Sequence, residues 1–517
     1  MSSTATTSSA RPEWGDLVAG LSVAMVLIPQ SLAYAELAGM PPVYGLYASI
    51  LPPIIAAFFA SSPYLQTGPV ALTSMLTLAA LGGLAVPASA EYVMLAPLLA
   101  LVVGVLRLAI GLAGAGFVAY LMSQPVMLGF SSAAALLILA SQLPPLLGLS
   151  PTPGRELARA LEVLAAPGQW SLAALAFGLG TCAAIFGGRR LHELFPGVLV
   201  AVGAGVLLSR FGGYAGPVVG DIPTGLPPLT LGFEISAIGG LLVPGLVIAL
   251  VGFAEPAAIA RALATQHRQS WSANRELVGQ GIANVAAAVS SAFPVGGSFS
   301  RTMVNHTAGG RTRWSGLVTG LTVLAFMPFA ASLSLLPKAV LAGVIIAAVL
   351  KLVQVRGLFH LVAVSRAQGF VGLATFVLTL WLAPRVDLAV GVGVALGVAV
   401  HLWRERRVHV ATDYHADTRV LRLMPVGVLY FGSANVVDEA LLGELARHPD
   451  AKRVVFDLRR VGRIDYTGGM VLQRIAQDTL AAGIEVRIIP GHPPQGDRLL
   501  RRVFGKDSAL IAGPDEA

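Results

Sequence analysis

Apolar residues run along this chain in long stretches broken by short polar punctuation, without the strict alternation of a half-buried strand. Segments such as 92–112, 117–140, 238–260 and 366–383 each approach the ~20 apolar residues that a helix needs to cross a bilayer. The pattern predicts about fourteen such spans, near 15–34, 44–62, 69–84, 92–112, 117–140, 170–187, 196–209, 238–262, 274–291, 300–310, 313–333, 338–353, 366–383 and 385–402. The texture changes after the last of them. Arg404, Glu405, Arg406 and Arg407 end the apolar region. Beyond lie β-rich runs at 418–423, 426–431, 453–458 and 484–489, with helical patterns near 435–447 and 467–482. Strands alternating with helices predict a small mixed sheet covered by helices. The expected organisation is therefore a polar, disordered tail over 1–14, an all-α membrane domain over 15–404, and a small α/β domain over 405–517.

Composition agrees with the pattern: 55% of the 517 residues are hydrophobic and only 12% are charged. The net charge of +8 raises the question of a nucleic-acid partner, and the positions of the basic residues exclude one. Arg189 and Arg190 follow span six, Arg261, Arg268 and Arg275 separate spans eight and nine, Arg311 and Arg313 separate ten and eleven, and Lys351, Arg356 and Arg366 separate twelve and thirteen. The intervening loops are poorer in Lys and Arg. By the positive-inside rule, both termini are expected in the cytoplasm. The first residues lack the plan of a cleaved signal peptide. With Cys182 as the single cysteine, neither an internal disulfide nor a cysteine metal cluster can form.

The membrane part carries a faint duplication. Val-Leu-Ile-Pro-Gln at 26–30 is followed by a break at Gln66 to Pro69, and Ala-Glu-Pro at 254–256 by a break at Pro294 to Gly297. Two halves of seven spans would fit, and because seven is odd the second would enter from the opposite side, giving an inverted repeat of about 15–209 and 238–402. The third and tenth spans are short, each preceded by a Gly- and Pro-containing extended segment. A helix that begins at mid-membrane presents unpaired N–H groups and the positive end of its dipole. Two such starts meeting would attract an anion.

Several side chains near these breaks are candidates. Arg301, early in span ten, could neutralise a substrate anion, although a snorkelling or ion-paired structural arginine fits the same position. Ser298 and Ser300 could supply hydroxyl donors. Glu255, in the middle of span eight, is a candidate for coupling to protons or sodium, or a structural partner for Arg301. Glu36, nearer the end of span one, is a weaker coupling candidate that could simply face interfacial water.

These residues sit within longer motifs: Pro29 to Ala35, Ala38 to Ser49, Thr67-Gly68-Pro69, Asn274 to Leu277, Gly281 to Asn284, Ser300-Arg301-Thr302 and Gly309 to Thr312. Together they resemble the sulfate permease (SulP) anion transporters over most of 15–402. The resemblance implies a core and a gate domain built on a seven-plus-seven inverted repeat shared with nucleobase transporters. It also implies an anion pocket formed by Gln30, Tyr34, Gly68, Pro69, Glu255, Phe299, Ser300 and Arg301. The C-terminal part is similar to a STAS domain through Val454 to Leu458 and Ile464 to Gly469. Thr467 stands where relatives carry a phosphate-accepting serine, but Tyr466 departs from the usual small residue, and a role for Thr467 as an N-terminal helix residue explains it better than phosphorylation does. A scaffold, dimerisation or regulatory role is expected of this domain, which allows a homodimer.

No HExxH, Gly-x-Ser-x-Gly or paired-aspartate motif and no P-loop occurs, so an enzyme is not expected and no cofactor is called for. Gradient-driven symport of a small anion across a prokaryotic cytoplasmic membrane is the expected function. A passive anion channel, an exchanger and a nucleobase carrier of the same fold stay open. A nucleobase carrier would want a second carboxylate in span ten, where Ser298, Ser300 and Arg301 stand. The resemblance implies that sodium-coupled members place a carboxylate and a hydroxyl near this part of span eight; here Glu255 is followed by Pro256, Ala257, Ala258 and Ile259 with no hydroxyl one turn on, which favours a proton.

Overall fold

A computed structural model describes residues 12–120, 122–150, 154–405, 408–430, 433–491 and 494–512. Most of the expected tail and the pair Arg406 and Arg407 lie outside the described residues. The first half of the membrane part comprises Trp14–Leu37 (α1), Val43–Tyr47 (α2), Leu51–Phe59 (α3), the strand Gln66–Gly68 (β1), Ala71–Leu81 (α4), Ala90–Leu112 (α5), Gln124–Leu146 (α6), Glu156–Ala165 (α7), Leu172–Leu191 (α8) and Gly197–Phe211 (α9). The second comprises Ile238–Gln266 (α10), Ala273–Val289 (α11), the strand Gly296–Ser298 (β2), Phe299–Thr307 (α12), Trp314–Phe326 (α13), Lys338–Val349 (α14), Val355–Val364 (α15), Arg366–Leu382 (α16) and Val386–Glu405 (α17). Each predicted span has a helical counterpart. The pattern missed α7 and α15, whose polar faces interrupt the apolar stretches that marked the spans.

Local chemistry explains the breaks. The second span divides into α2 and α3, and α3 restarts where Pro52 and Pro53 need no N–H acceptor. Helix α1 ends at Gly39, whose φ of +75° lets Met40 N donate to Ala35 O at 2.9 Å and Gly39 N to Glu36 O at 3.0 Å. Strands β1 and β2 pair antiparallel, Gln66 with Ser298 and Gly68 with Gly296. Equivalent segments of the two halves thus run in opposite directions, as an inverted repeat requires.

The helices sort into two bundles. In one, α5 packs on α10 and α11, α3 on α11 and α13, and α1 on α12 and α13. In the other, α6 packs on α14 and α16, and α8 on α9 and α14. Helix α17 belongs to the second bundle, since Gly393 lies close to Thr375 and Gly397 close to Val126 and Val371.

The C-terminal unit is a mixed sheet in the order β3-β4-β5-β7, built from His409–His415 (β3), Val420–Leu429 (β4), Arg453–Asp457 (β5) and Glu485–Ile489 (β7), with Val461–Ile464 (β6) also paired to β4. Strands β3 and β4 are antiparallel; β4–β5 and β5–β7 are parallel. Helices Asn435–Arg447 (α18), Tyr466–Ala481 (α19) and Pro494–Phe504 (α20) accompany it, and Leu423, Phe456, Leu472, Ile475 and Phe504 share its core. One expectation is corrected. The runs 418–423 and 426–431 are joined in one strand, Val420–Leu429, because β3 pairs with β4 without a break from Val420 to Val426, while on the other edge β5 reaches only Leu423 and β6 starts at Gly427. Pro425 is in register with Val410 of β3 and faces the gap between β5 and β6 on the other edge. The polar edge strand β3 and the short β6 gave no apolar signal. Division into compact units falls at Gly397 and Val398, inside α17.

Candidate functional site

The paired strands β1 and β2 lead directly into α4 and α12, so the N-terminal turns of both helices lie together. Extended backbone at this depth needs internal partners, and buried polar side chains supply them. Gln66 N donates to Thr302 Oγ1 at 3.0 Å and Gln66 Nε2 to Ser315 Oγ at 3.0 Å. Gln280 Nε2 donates to Thr67 Oγ1 at 2.8 Å. Asn284 brackets Val295, donating to its carbonyl at 3.1 Å and accepting from its N–H at 2.9 Å. Arg107, fully buried, donates to Ala249 O, Ile248 O and Val295 O at 3.2, 3.2 and 3.0 Å, pinning α5 to α10 and to the approach of β2.

A cavity of about 480 Å³ opens in front of the two helix starts, between the bundles. Its polar lining is Gln30 and Tyr34 from α1, Glu255 from α10, and Ser298 and Ser300 from the start of α12, with the half-exposed Phe299 beside them. Val70, Ala71 and Leu72 line it at the start of α4, where no side chain caps the helix. Ser298 caps α12 by accepting from Arg301 N at 3.4 Å, and its Oγ lies 3.3 Å from Ser300 Oγ. Gln30 Oε1 has no partner. The opposite wall comes from α14, through Val344, Ala347 and Val349, and the mouth is marked by Arg189, Glu193 and Lys351.

Arg301 is fully buried, and Nε, Nη1 and Nη2 all lack a hydrogen-bond acceptor. Its guanidinium reaches Gly68: a Cβ added there would sit 3.3 Å from Nη2. Tyr34 lies within electrostatic reach of both Arg301 and Glu255. No ion pair joins Glu255 to Arg301 among the described residues, so the structural pairing of these two is not what the fold uses. A buried cation without a partner is costly. Beside two helix starts, whose free N–H groups also carry partial positive charge, it leaves this part of the membrane domain strongly electropositive.

The geometry gathers most of the residues singled out from sequence. Gln30, Tyr34, Glu255, Phe299 and Ser300 line the cavity; Arg301 and Gly68 touch each other without lining it, and Pro69 is buried in the turn between β1 and α4. Glu36 is elsewhere. It does not line the cavity, and its Oε1 lies 2.8 Å from Lys338 Nζ. Sequence reasoning missed Arg107 and Lys338, and used Arg189 and Lys351 only as topology markers. An arginine inside the apolar run 92–112 was the available signal for Arg107.

Residues 14–375 match the sulfate permease family and residues 411–503 the STAS domain. Sulfate transporter 4.1, chloroplastic, of Arabidopsis thaliana is 34% identical over 401 residues, covering 75% of this chain and 58% of that protein. The chain thus spans less than two thirds of that relative's length. A "probable sulfate transporter" of Mycobacterium tuberculosis is 34% identical over 448 residues, covering 85% of this chain and 76% of the relative. Among solved structures, murine solute carrier 26 family member A9, an anion transporter in the inward-facing state, superposes with a TM-score of 0.87 at 22% identity, covering 96% of this chain and 89% of that one.

Proposed function

The chain belongs to the sulfate permease family, and from that premise we propose that it is a secondary active carrier of small anions working by alternating access. The observation that carries this reading is the partnerless, fully buried Arg301 guanidinium set beside the starts of α4 and α12. The anion binds between these starts. Ser300 and the first N–H groups of the helices donate to its oxygens, and Gln30 and Tyr34 complete the wall. An inorganic oxyanion such as sulfate or bicarbonate, or a small dicarboxylate, suits such a donor set. An uncharged nucleobase would leave the cation unanswered.

Glu255 is the coupling residue. It is the carboxylate among the described cavity residues nearest the helix starts, and the protein gives it no cationic partner. A proton taken up there with the anion removes a negative charge from the pocket and favours joint loading. The alternation of Arg and Lys between loops supports a cytoplasmic mouth, marked by Arg189 and Lys351, and cytoplasmic termini. The STAS domain, taken as residues 405–517, regulates or scaffolds the carrier, with a homodimer as its assembly. Asp465, not Thr467, caps α19, accepting from Gly468 N at 2.7 Å, so the exposed Thr467 is free of that structural duty.

Uptake by purified protein in liposomes, with imposed pH or sodium gradients and a panel of labelled anions, tests the proposal. Anion accumulation driven by a proton gradient is expected. Uptake of a nucleobase with no anion transported would overturn it.

A further inference from the structure

We propose that Glu36 and Lys338 form an ion-pair latch that closes the site on the side away from its mouth, and that the pair must part when the site opens there. The inference rests on the carrier reading above. Glu36 Oε1 lies 2.8 Å from Lys338 Nζ. The two belong to different bundles, Glu36 to α1 and Lys338 to α14. Along α14 the cavity wall begins at Val344 and runs towards Lys351 at the mouth. Lys338 stands at the other end, about 20 Å from Lys351 at helical rise. On α1 the cavity residues Gln30 and Tyr34 precede Glu36 in the same sense, placing the pair on the closed side.

Both charges oppose their own helices. Glu36 lies in the last turn of α1, which has no basic residue, and Lys338 is the first residue of α14, whose first turn has no acidic one. A helix dipole favours cations at its C-terminus and anions at its N-terminus, so each residue is misplaced for the stability of its own helix. Only the partner on the other bundle answers it. The backbone beneath each charge is fixed: Gly39 closes α1, while Lys338 N donates to Pro217 O, Val219 N to Leu336 O and Gly220 N to Ser334 O, each at 3.0 Å. Glu36 Oε1 is itself shielded from water and makes no well-aligned hydrogen bond, so its 2.8 Å approach to Lys338 Nζ is a charge contact alone; the rest of the two side chains is 25% and 33% exposed, and the latch is weak enough to open in every cycle. Such a pair shifts the balance between the two access states about two- to fivefold.

The test reads access without transport. In full-length protein carrying Cys182→Ala and Ala348→Cys, a half-buried position on the α14 wall of the cavity, a membrane-impermeant maleimide is applied to vesicles from either side. Glu36→Gln or Lys338→Met should raise labelling from the side of the pair about two- to fivefold and lower it from the mouth. Glu36→Lys combined with Lys338→Glu should restore the original ratio or exceed it, because the exchanged charges then suit both dipoles. Unchanged labelling in the single variants, or a double variant no better than they are, overturns the latch. Since labelling needs no substrate, altered labelling with no anion uptake would sink the carrier reading alone, and unaltered labelling with intact uptake the latch alone.

Discussion

Replacing Arg301 with Met should make the protein more stable and less able to bind its anion. The side chain is fully buried and no protein group accepts from its three guanidinium nitrogens, so the folded protein holds a desolvated charge without a protein partner. Exchanging buried charge for a well-packed apolar chain of similar length stabilises proteins by about 1–4 kcal/mol in comparable cases. The bound anion, in turn, loses the pull of a positive charge lying behind the cavity wall, on the order of 2 kcal/mol at a separation of about 8 Å, or roughly 30-fold in affinity. Thermal unfolding of the purified protein with and without sulfate separates the two effects. The wild type should gain about 2.7 kcal/mol at a sulfate concentration near 100 times its dissociation constant. Arg301→Met should start from a higher unfolding temperature and gain little at the same concentration. A variant that unfolds earlier than the wild type, yet is stabilised equally by sulfate, would refute the reasoning and make Arg301 a structural residue.

Arg107→Met should have the opposite sign, lowering stability by about 3 kcal/mol, because that guanidinium donates to three carbonyls; a rise in unfolding temperature would contradict this. Gly68→Ala places a methyl 3.3 Å from Arg301 Nη2 on a backbone whose φ of +155° disfavours any side chain, so it should lower stability by about 1–3 kcal/mol and also weaken sulfate binding, both read by the same thermal unfolding. Glu255→Gln should leave sulfate exchange measurable while removing its acceleration by an inward proton gradient; a gradient response equal to wild type would remove Glu255 from coupling. In the C-terminal unit, bonds from Arg459, then Arg422, hold the Asp457 carboxyl down at about 2, so its stabilisation is full above the unfolded value near 4 and disappears as pH falls through 2. Asp457→Asn should therefore cost at most about 2 kcal/mol at pH 7, allowing for screening of the half-exposed Arg459, and flatten the acid-unfolding slope between pH 4 and 2.

The membrane spans were legible because length and hydropathy alone decide whether a helix can cross a bilayer. The breaks at Gln66 to Pro69 and Pro294 to Gly297 were legible for a second reason: glycine and proline mark where a helix cannot continue. What the sequence hid was pairing over distance. Lys338 reads as an ordinary lysine at the end of a span, and only the fold brings it to Glu36. Gln280 and Asn284 look like stray polar residues in an apolar run until they are seen to hold Thr67 and Val295. Strand β3 was missed because His409, Asp413 and His415 lie on an exposed sheet edge, where polar residues prevent further pairing and leave no alternation.

The most direct test of the central claim is labelled sulfate uptake into liposomes holding purified protein, wild type and Arg301→Met in parallel, under an inward proton gradient. Accumulation above equilibrium by the wild type, collapsing when the gradient is dissipated and falling at least about tenfold in the variant at sub-saturating sulfate, is the expected result. Equal uptake by the two proteins would contradict an anion site built around Arg301.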